Sequence, residues 1–187
     1  MWLLLPLIAG AEPASTGRIE GSVTLPASAR SQTWAWIDGD GPLPDIPDTV
    51  ALAQEGTEFF PKVLVIPRGT VVDFPNRGPD MHEVHWVTRQ YTDTLGIYRA
   101  GESEQRTFEE VGEYPIGCNR HENMAATIRV VPNRWLVKVD RDGGFVLDEL
   151  PAGTWHVVVW SPAGHLQVER DVEVKAGASA RFSARLD

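Results

Sequence analysis

One cysteine, Cys118, stands in a chain of 187 residues, so no disulfide can close within it. No uninterrupted apolar run reaches the roughly 18 residues of a membrane-spanning helix, which excludes a polytopic membrane protein. Cations are scarce as well. Lys and Arg number 17 against 26 Asp and Glu, a net charge of -9, and they form no basic cluster. Phosphate binding depends on cationic patches, so no nucleic-acid partner is expected. A helical hydrophobic period sustained over three turns is also missing, which argues against a helical bundle. Disorder is excluded by a composition that is 42% hydrophobic and 23% charged.

What is present reads as β-structure. Short runs rich in Val, Ile, Thr and Trp alternate with Gly and Pro punctuation such as Pro67-Arg68-Gly69, Asp142-Gly143-Gly144 and Pro151-Ala152-Gly153. They predict strands at Arg18–Leu25, Thr33–Ile37, Lys62–Ile66, Thr70–Phe74, His82–Val87, Gln105–Phe108 and Glu113–Ile116. Further strands are predicted at Ala126–Val131, Trp135–Val139, Gly144–Leu147, Trp155–Trp160, Gln167–Val174 and Arg181–Leu186. The fold class is all-β, a sandwich architecture with a boundary near Pro132-Asn133. Asp142-Gly143 signals a two-residue hairpin turn with positive φ at both central positions. Asp140, Asp142, Asp148 and Glu149 lack the spacing of a calcium loop and read as turn chemistry. At the start of the chain, the apolar run Trp2–Ile8 precedes Ala9-Gly10-Ala11, the small residues that a signal peptidase reads. Residues 1–11 are therefore expected to be a signal peptide, and the protein periplasmic or secreted. In an oxidising compartment a lone thiol is a hazard unless metal or burial holds it.

The segment Cys118-Asn119-Arg120-His121-Glu122-Asn123-Met124 sets thiol, imidazole and thioether at C-x2-H-x2-M spacing. Singly, a buried Cys, a loop His and a core Met read as packing. Together they match offsets that chance supplies roughly once in 2000. The fourth ligand is sought on the strand Met81–Val87. There His82 shares a face with Val84 and Trp86, while Glu83 and His85 point to the other side and toward solvent. His82 is the predicted ligand. Thiolate and thioether favour copper(I), two imidazoles serve both oxidation states, and zinc would not select a Met. One type 1 copper ion bound by His82, Cys118, His121 and an axial Met124 is the expected cofactor. Such a set leaves no open coordination position, so an electron carrier is expected and not an enzyme.

At these residues the sequence resembles the cupredoxins, in particular exported plastocyanin-like and methylamine-utilisation-like members. The match runs from about Val50 to Val131. It takes in Gln54, Phe59-Phe60-Pro61, Val63–Ile66, Pro67-Arg68-Gly69-Thr70, Phe74-Pro75-Asn76, His82, Leu95-Gly96-Ile97-Tyr98, Phe108, Gly112 and the Cys118 motif. The resemblance implies a Greek-key sandwich with copper near one end and His121 as the electron port. Two departures stand out. Glu83 replaces an Asn that in such proteins ties the two ligand loops; an ionised carboxylate cannot donate, so support of the Cys118 loop is expected to change while ligation does not. Arg120 and Glu122 flank His121, which predicts a more electrostatic docking.

The C-terminal part resembles a carboxypeptidase-regulatory-like Ig-type module, through Asp140–Phe145, Leu150–Trp155 and a Val-rich strand. Its usual opening Gly-x-Val is found at Gly21-Ser22-Val23. Residues 17–48 are thus expected to complete this module together with residues 132–187, around a cupredoxin domain at 49–131. Trp135, Trp155 and Trp160 read as core. The leading function is one-electron transfer to a redox partner protein, a cytochrome or a dehydrogenase. The alternatives are a periplasmic copper(I) carrier or store on the same ligands, and a surface-interaction protein dominated by the Ig-type module. A red-copper site through Glu83 is disfavoured by strand parity.

Overall fold

Segments this short, β-branched and closely punctuated cannot bury a helical face, and they pair instead as strands. A computed structural model of the protein describes residues 15–43, 49–88 and 91–187. The first strands are β1 (Gly17–Thr24), β2 (Trp34–Asp38), β3 (Thr49–Ala51), β4 (Ala53–Glu55), β5 (Glu58–Phe60) and β6 (Val63–Pro67). Then come β7 (Thr70–Pro75), β8 (His82–Val87), β9 (Thr92–Tyr98), β10 (Ser103–Phe108), β11 (Gly112–Cys118) and β12 (Ala125–Val131). The last are β13 (Leu136–Lys138), β14 (Gly144–Leu150), β15 (Gly153–Ser161), β16 (Leu166–Val174) and β17 (Ser179–Arg185). Every strand predicted above is present, and β3, β4, β5 and β9 are additions. The signal peptide expected at residues 1–11 lies outside the described residues. No helix among the described residues is long and apolar enough to cross a membrane.

The described residues are all-β, and the strands of residues 49–131 build one sandwich. One of its sheets has the order β10-β7-β3, the other β6-β12-β11-β8-β9. Period-two alternation builds its core. Thr70, Val72 and Phe74 of β7 face inward, as do His82, Val84 and Trp86 of β8. Phe108, Tyr114, Ile116, Ile128 and Val130 fill the space between the sheets. Phe108 packs edge-on against Tyr114 at 5.0 Å and lies tilted to Trp86 at 5.5 Å.

β4 and β5 pair with each other, and the strands outside residues 49–131 form a second pair of sheets, β14-β1-β17 and β13-β2-β15-β16, around Ile19, Ile37, Phe145, Leu147, Val157, Val159 and Phe182. β1 lies between β14, antiparallel to it, and β17, parallel to it. The Asp142-Gly143 turn departs from the expected hairpin in two ways. Only Gly143 has positive φ, 94°, and the turn joins strands of different sheets, with β14 pairing β1 instead of β13. Asp140 and Gly144 close the turn through a 2.8 Å bond from Asp140 N to Gly144 O.

The run Val157-Val158-Val159-Trp160 is apolar without alternation because β15 is covered on both faces. Val157 and Val159 enter the second core, whereas Val158 and Trp160 join Trp36, Val63, Val65 and Val131 where the sandwiches meet. Arg129 lies in that junction, its guanidinium 5.5 Å from the centre of the Trp36 ring and 5.3 Å from that of Trp160. Glu113 neutralises it at 3.2 Å. Partly desolvated cation–π contacts contribute about 0.5–2 kcal/mol each. Arg129→Ala is accordingly expected to lower the stability measured by urea unfolding by about 1–3 kcal/mol. An unchanged midpoint would show that the guanidinium contributes nothing there.

Candidate metal centre

β8 and β11 run antiparallel, with Ile116 opposite Trp86, Gly117 opposite His85 and Cys118 opposite Val84. Cys118 therefore leaves the end of its strand on the face that His82 occupies. After Cys118 the chain turns for six residues before β12 begins. Asn123 takes a left-handed φ of 62°, a conformation Asn tolerates better than most residues, and Met124 then re-enters the core.

The turn brings His121 back over the thiol. Cys118 Sγ lies 3.6 Å from His82 Nδ1 and 3.6 Å from His121 Nδ1. The three donor atoms all lie within 4.8 Å of one another. The two imidazole rings are tilted by 54° with centroids 4.7 Å apart, and each turns its Nδ1 toward the sulfur. A metal bonded to sulfur at about 2.3 Å and to nitrogen at about 2.0 Å, with an angle near 120°, separates those atoms by about 3.7 Å. The observed spacing fits an ion between them. Met124 is 2% exposed and belongs to the same core cluster as Cys118. His82 is fully buried, and His121 is half-buried at the surface.

Burial, then the neighbouring His121 and Arg120, hold the His82 imidazole below its ordinary value against the opposing pull of Asp80. The shift favours the neutral imidazole, the form that binds metal. Its Nε2 is buried without a partner among the described residues, which leaves Nδ1 as the nitrogen turned toward the thiol.

Several side chains fix the surroundings. Asn76 donates to Asp80 O at 2.7 Å and accepts from Gly78 N at 3.1 Å, shaping the approach to His82. Tyr98, opposite His82 in β9, donates to Phe74 O at 3.1 Å and meets the buried amide of Gln54. Burial pushes its phenol well above the ordinary range. Glu83 and His85 occupy the opposite face of β8, as strand parity requires. His85 is nevertheless half-buried and not free in solvent: a Cβ on Gly117 would lie 2.8 Å from its ring.

The support of the Cys118 loop, expected to change with Glu83, comes from a carboxylate that accepts. Glu83 and Asn119 are joined by side chain and by main chain. Asn119 Nδ2 donates to Glu83 Oε1 at 3.1 Å, and Asn119 N donates to Glu83 O at 3.1 Å. Arg120 Nε adds a bond to Met81 O at 3.2 Å. Asn119 carried no signal as a tie in the sequence, because its partner is 36 residues away and only the β8–β11 register brings them together.

No protein-family model matches the sequence. No curated protein matches it either. Among solved structures, an oxidized amicyanin variant is 20% identical, with 51% of this chain and 97% of that chain covered at a TM-score of 0.42. A reduced amicyanin variant is 22% identical over the same shares, also at a TM-score of 0.42. A purple cupredoxin from Nitrosopumilus maritimus is 20% identical, covering 44% of this chain and 99% of that chain at a TM-score of 0.40.

Proposed function

We propose that the protein is an exported type 1 copper protein that carries single electrons between partner proteins. The reading rests on one observation: a thiol and two imidazole nitrogens converge at coordination spacing, with the Cys118 and His82 donors buried and His121 reaching the surface. Copper held by such donors accepts and returns one electron. The chain's own residues prepare that exchange. Cys118 would bind as thiolate, His82 as the neutral imidazole, and Met124 would offer a soft thioether from the core side.

Burial of Cys118 and His82 excludes water, and the bonds from Asn119 and Arg120 hold the loop so that the donors keep their places. His121 presents the edge of the site to a redox partner, with Arg120 and Glu122 exposed on either side. With four donors assigned, no position remains for a substrate, and a carrier is favoured over an enzyme. A leader at residues 1–11 would deliver the protein to an oxidising compartment, where burial protects the thiol.

The test is the visible and electron paramagnetic resonance spectrum of protein loaded with stoichiometric copper(II), repeated on Cys118→Ser. An intense thiolate-to-copper band with narrow copper hyperfine splitting, absent from the variant, is expected. A colourless protein that retains copper(I) would replace electron transfer by copper carriage or storage on the same ligands.

A further inference from the structure

Two turns of the second sandwich each carry an arginine to the same place. Arg30 sits between β1 and β2, where Ala29 N donates to Pro26 O at 3.0 Å, Gln32 N to Ala29 O at 3.0 Å and Thr33 Oγ1 to Ala29 O at 2.8 Å. Ala29 is fully buried, which anchors the backbone of that turn. Arg141 stands between β13 and β14, where Gly143 N donates to Asp140 O at 2.9 Å and Val23 N to Gly143 O at 2.9 Å. Both arginines line one cleft of about 480 Å³ together with Ser22, Thr24 and Asp142.

An exposed arginine is an ordinary surface residue. These two share a cleft and have no protein partner in it. The arginine ion pairs of the described residues take Arg18, Arg77, Arg106, Arg129 and Arg134. Among the described residues, neither Arg30 nor Arg141 makes an ion pair or a side-chain hydrogen bond, and the hydroxyls of Ser22 and Thr24 make none either. A second cleft of about 220 Å³ shares the same two arginines and adds Ser31, Lys138 and Asp140. Each cleft therefore offers the same set: the shared guanidinium groups, at least one hydroxyl and one carboxylate.

That set selects a chemistry. The planar fork of a guanidinium matches a carboxylate through two parallel bonds. Hydroxyls both donate and accept, whereas Asp140 and Asp142, when ionised, can only accept. A carboxylate in the wall repels a bare anion such as phosphate but takes hydrogen bonds from the hydroxyls of a ligand. A hydroxylated carboxylate satisfies all three kinds of group, and a set repeated across two clefts with common arginines suits a chain of such units. The larger cleft falls within the ~300–1,000 Å³ of small-molecule sites. Turns already held by main-chain bonds lower the cost of ordering the site on binding.

We propose that Arg30 and Arg141 are the centre of a carbohydrate site for a linear oligosaccharide of uronic acid units. The guanidinium groups take its carboxylates, and Ser22, Thr24, Asp140 and Asp142 take its ring hydroxyls. The site belongs to the second sandwich and needs no metal, so it stands or falls apart from the copper reading.

Calorimetric titration of the full chain with the galacturonate trimer tests it, with the methyl ester of the trimer and inorganic phosphate as comparisons. Saturable binding is expected, at least about tenfold tighter than that of the ester, which keeps the hydroxyls and loses the charge. Arg30→Gln and Arg141→Gln are each expected to weaken it about tenfold or more with the urea midpoint unchanged. Arg170→Gln, on β16, is expected to bind as wild type does, and copper loading to change none of these results. Absence of saturable binding up to about 10 mM trimer overturns the proposal. Wild-type affinity in both cleft variants overturns it as well, and an equal loss in Arg170→Gln does so by showing general attraction of a polyanion. Phosphate bound as tightly as the trimer would mean a site for bare anions and overturn the sugar assignment. A colourless protein that binds the trimer would sink the electron-transfer reading and leave this site standing.

Discussion

Acidifying copper-loaded protein below the ordinary range of imidazole is expected to strip the metal, with affinity falling at least about tenfold per pH unit. On the proposed ligand set, metal and proton would compete for the same atoms of Cys118, His82 and His121. Burial and the adjacent His121 hold His82 below its ordinary value, so competition there starts at a lower pH than for a free imidazole. A chelator-competition titration of copper(II) from about pH 7 to about pH 4 measures this, and a flat affinity across that range would contradict it.

The same depression acts on the metal-free fold. Below about pH 6.5 the unfolded chain binds a proton at His82 that the native state resists, so the contribution of His82 is present above that pH and declines as pH falls through the native value. His156 works in the opposite sense. Hydrogen bonds to Asp171 and Glu169 raise its value, so its contribution is complete below about pH 6.5 and is lost as pH rises through the native value. Its side chain is 39% exposed, and solvent screening keeps that contribution small.

Gly143→Ala is expected to remove about 3–5 kcal/mol of stability. The backbone φ at Gly143 is 94°, and a Cβ there would stand 1.8 Å from the carbonyl oxygen of Val23. That carbonyl belongs to β1, the central strand of its sheet, and Val23 N donates to Gly143 O at 2.9 Å. Neither backbone has a flexible end that can move aside. Gly177 provides the contrast: its φ is 69°, but nothing lies within 4 Å of the added atom. Gly177→Ala carries only the left-handed penalty of about 1–2 kcal/mol. Urea unfolding of the two variants separates contact from conformation, and equal losses would refute the steric argument.

Much of this is legible in the residues alone. Parity along Met81 to Val87 places His82 inside and Glu83 outside, and β8 obeys it. The Cys118 motif needs only a tight turn to converge. The four added strands escaped for local reasons. Thr92–Tyr98 opens on the polar run Thr92-Asp93-Thr94 and is interrupted by Gly96 with φ of 76°, while β3, β4 and β5 hold three residues each. Asp142-Gly143 carries a hairpin signal, but the chain changes sheet there, because β1 from the other end of the sequence has taken the place beside β14. The Glu83–Asn119 pairing and the seat of Arg129 between two tryptophans depend on registers set by distant strands, and residue type alone does not reveal them.

The position of β1 orders events as the chain is made. β1 and β2 are synthesised first, yet their partners β13 to β17 come last, with residues 49–131 in between. The intervening strands pair only among themselves and can collapse early, while β1 and β2 wait with bare edges for about a hundred residues of synthesis. Closing the β1–β17 pairing then joins segments about 160 residues apart, a slow step by the usual dependence on sequence separation. The loop after Cys118 thus lies among strands that need no partner from outside residues 49–131, whereas β1 and β2 depend on strands made about a hundred residues later.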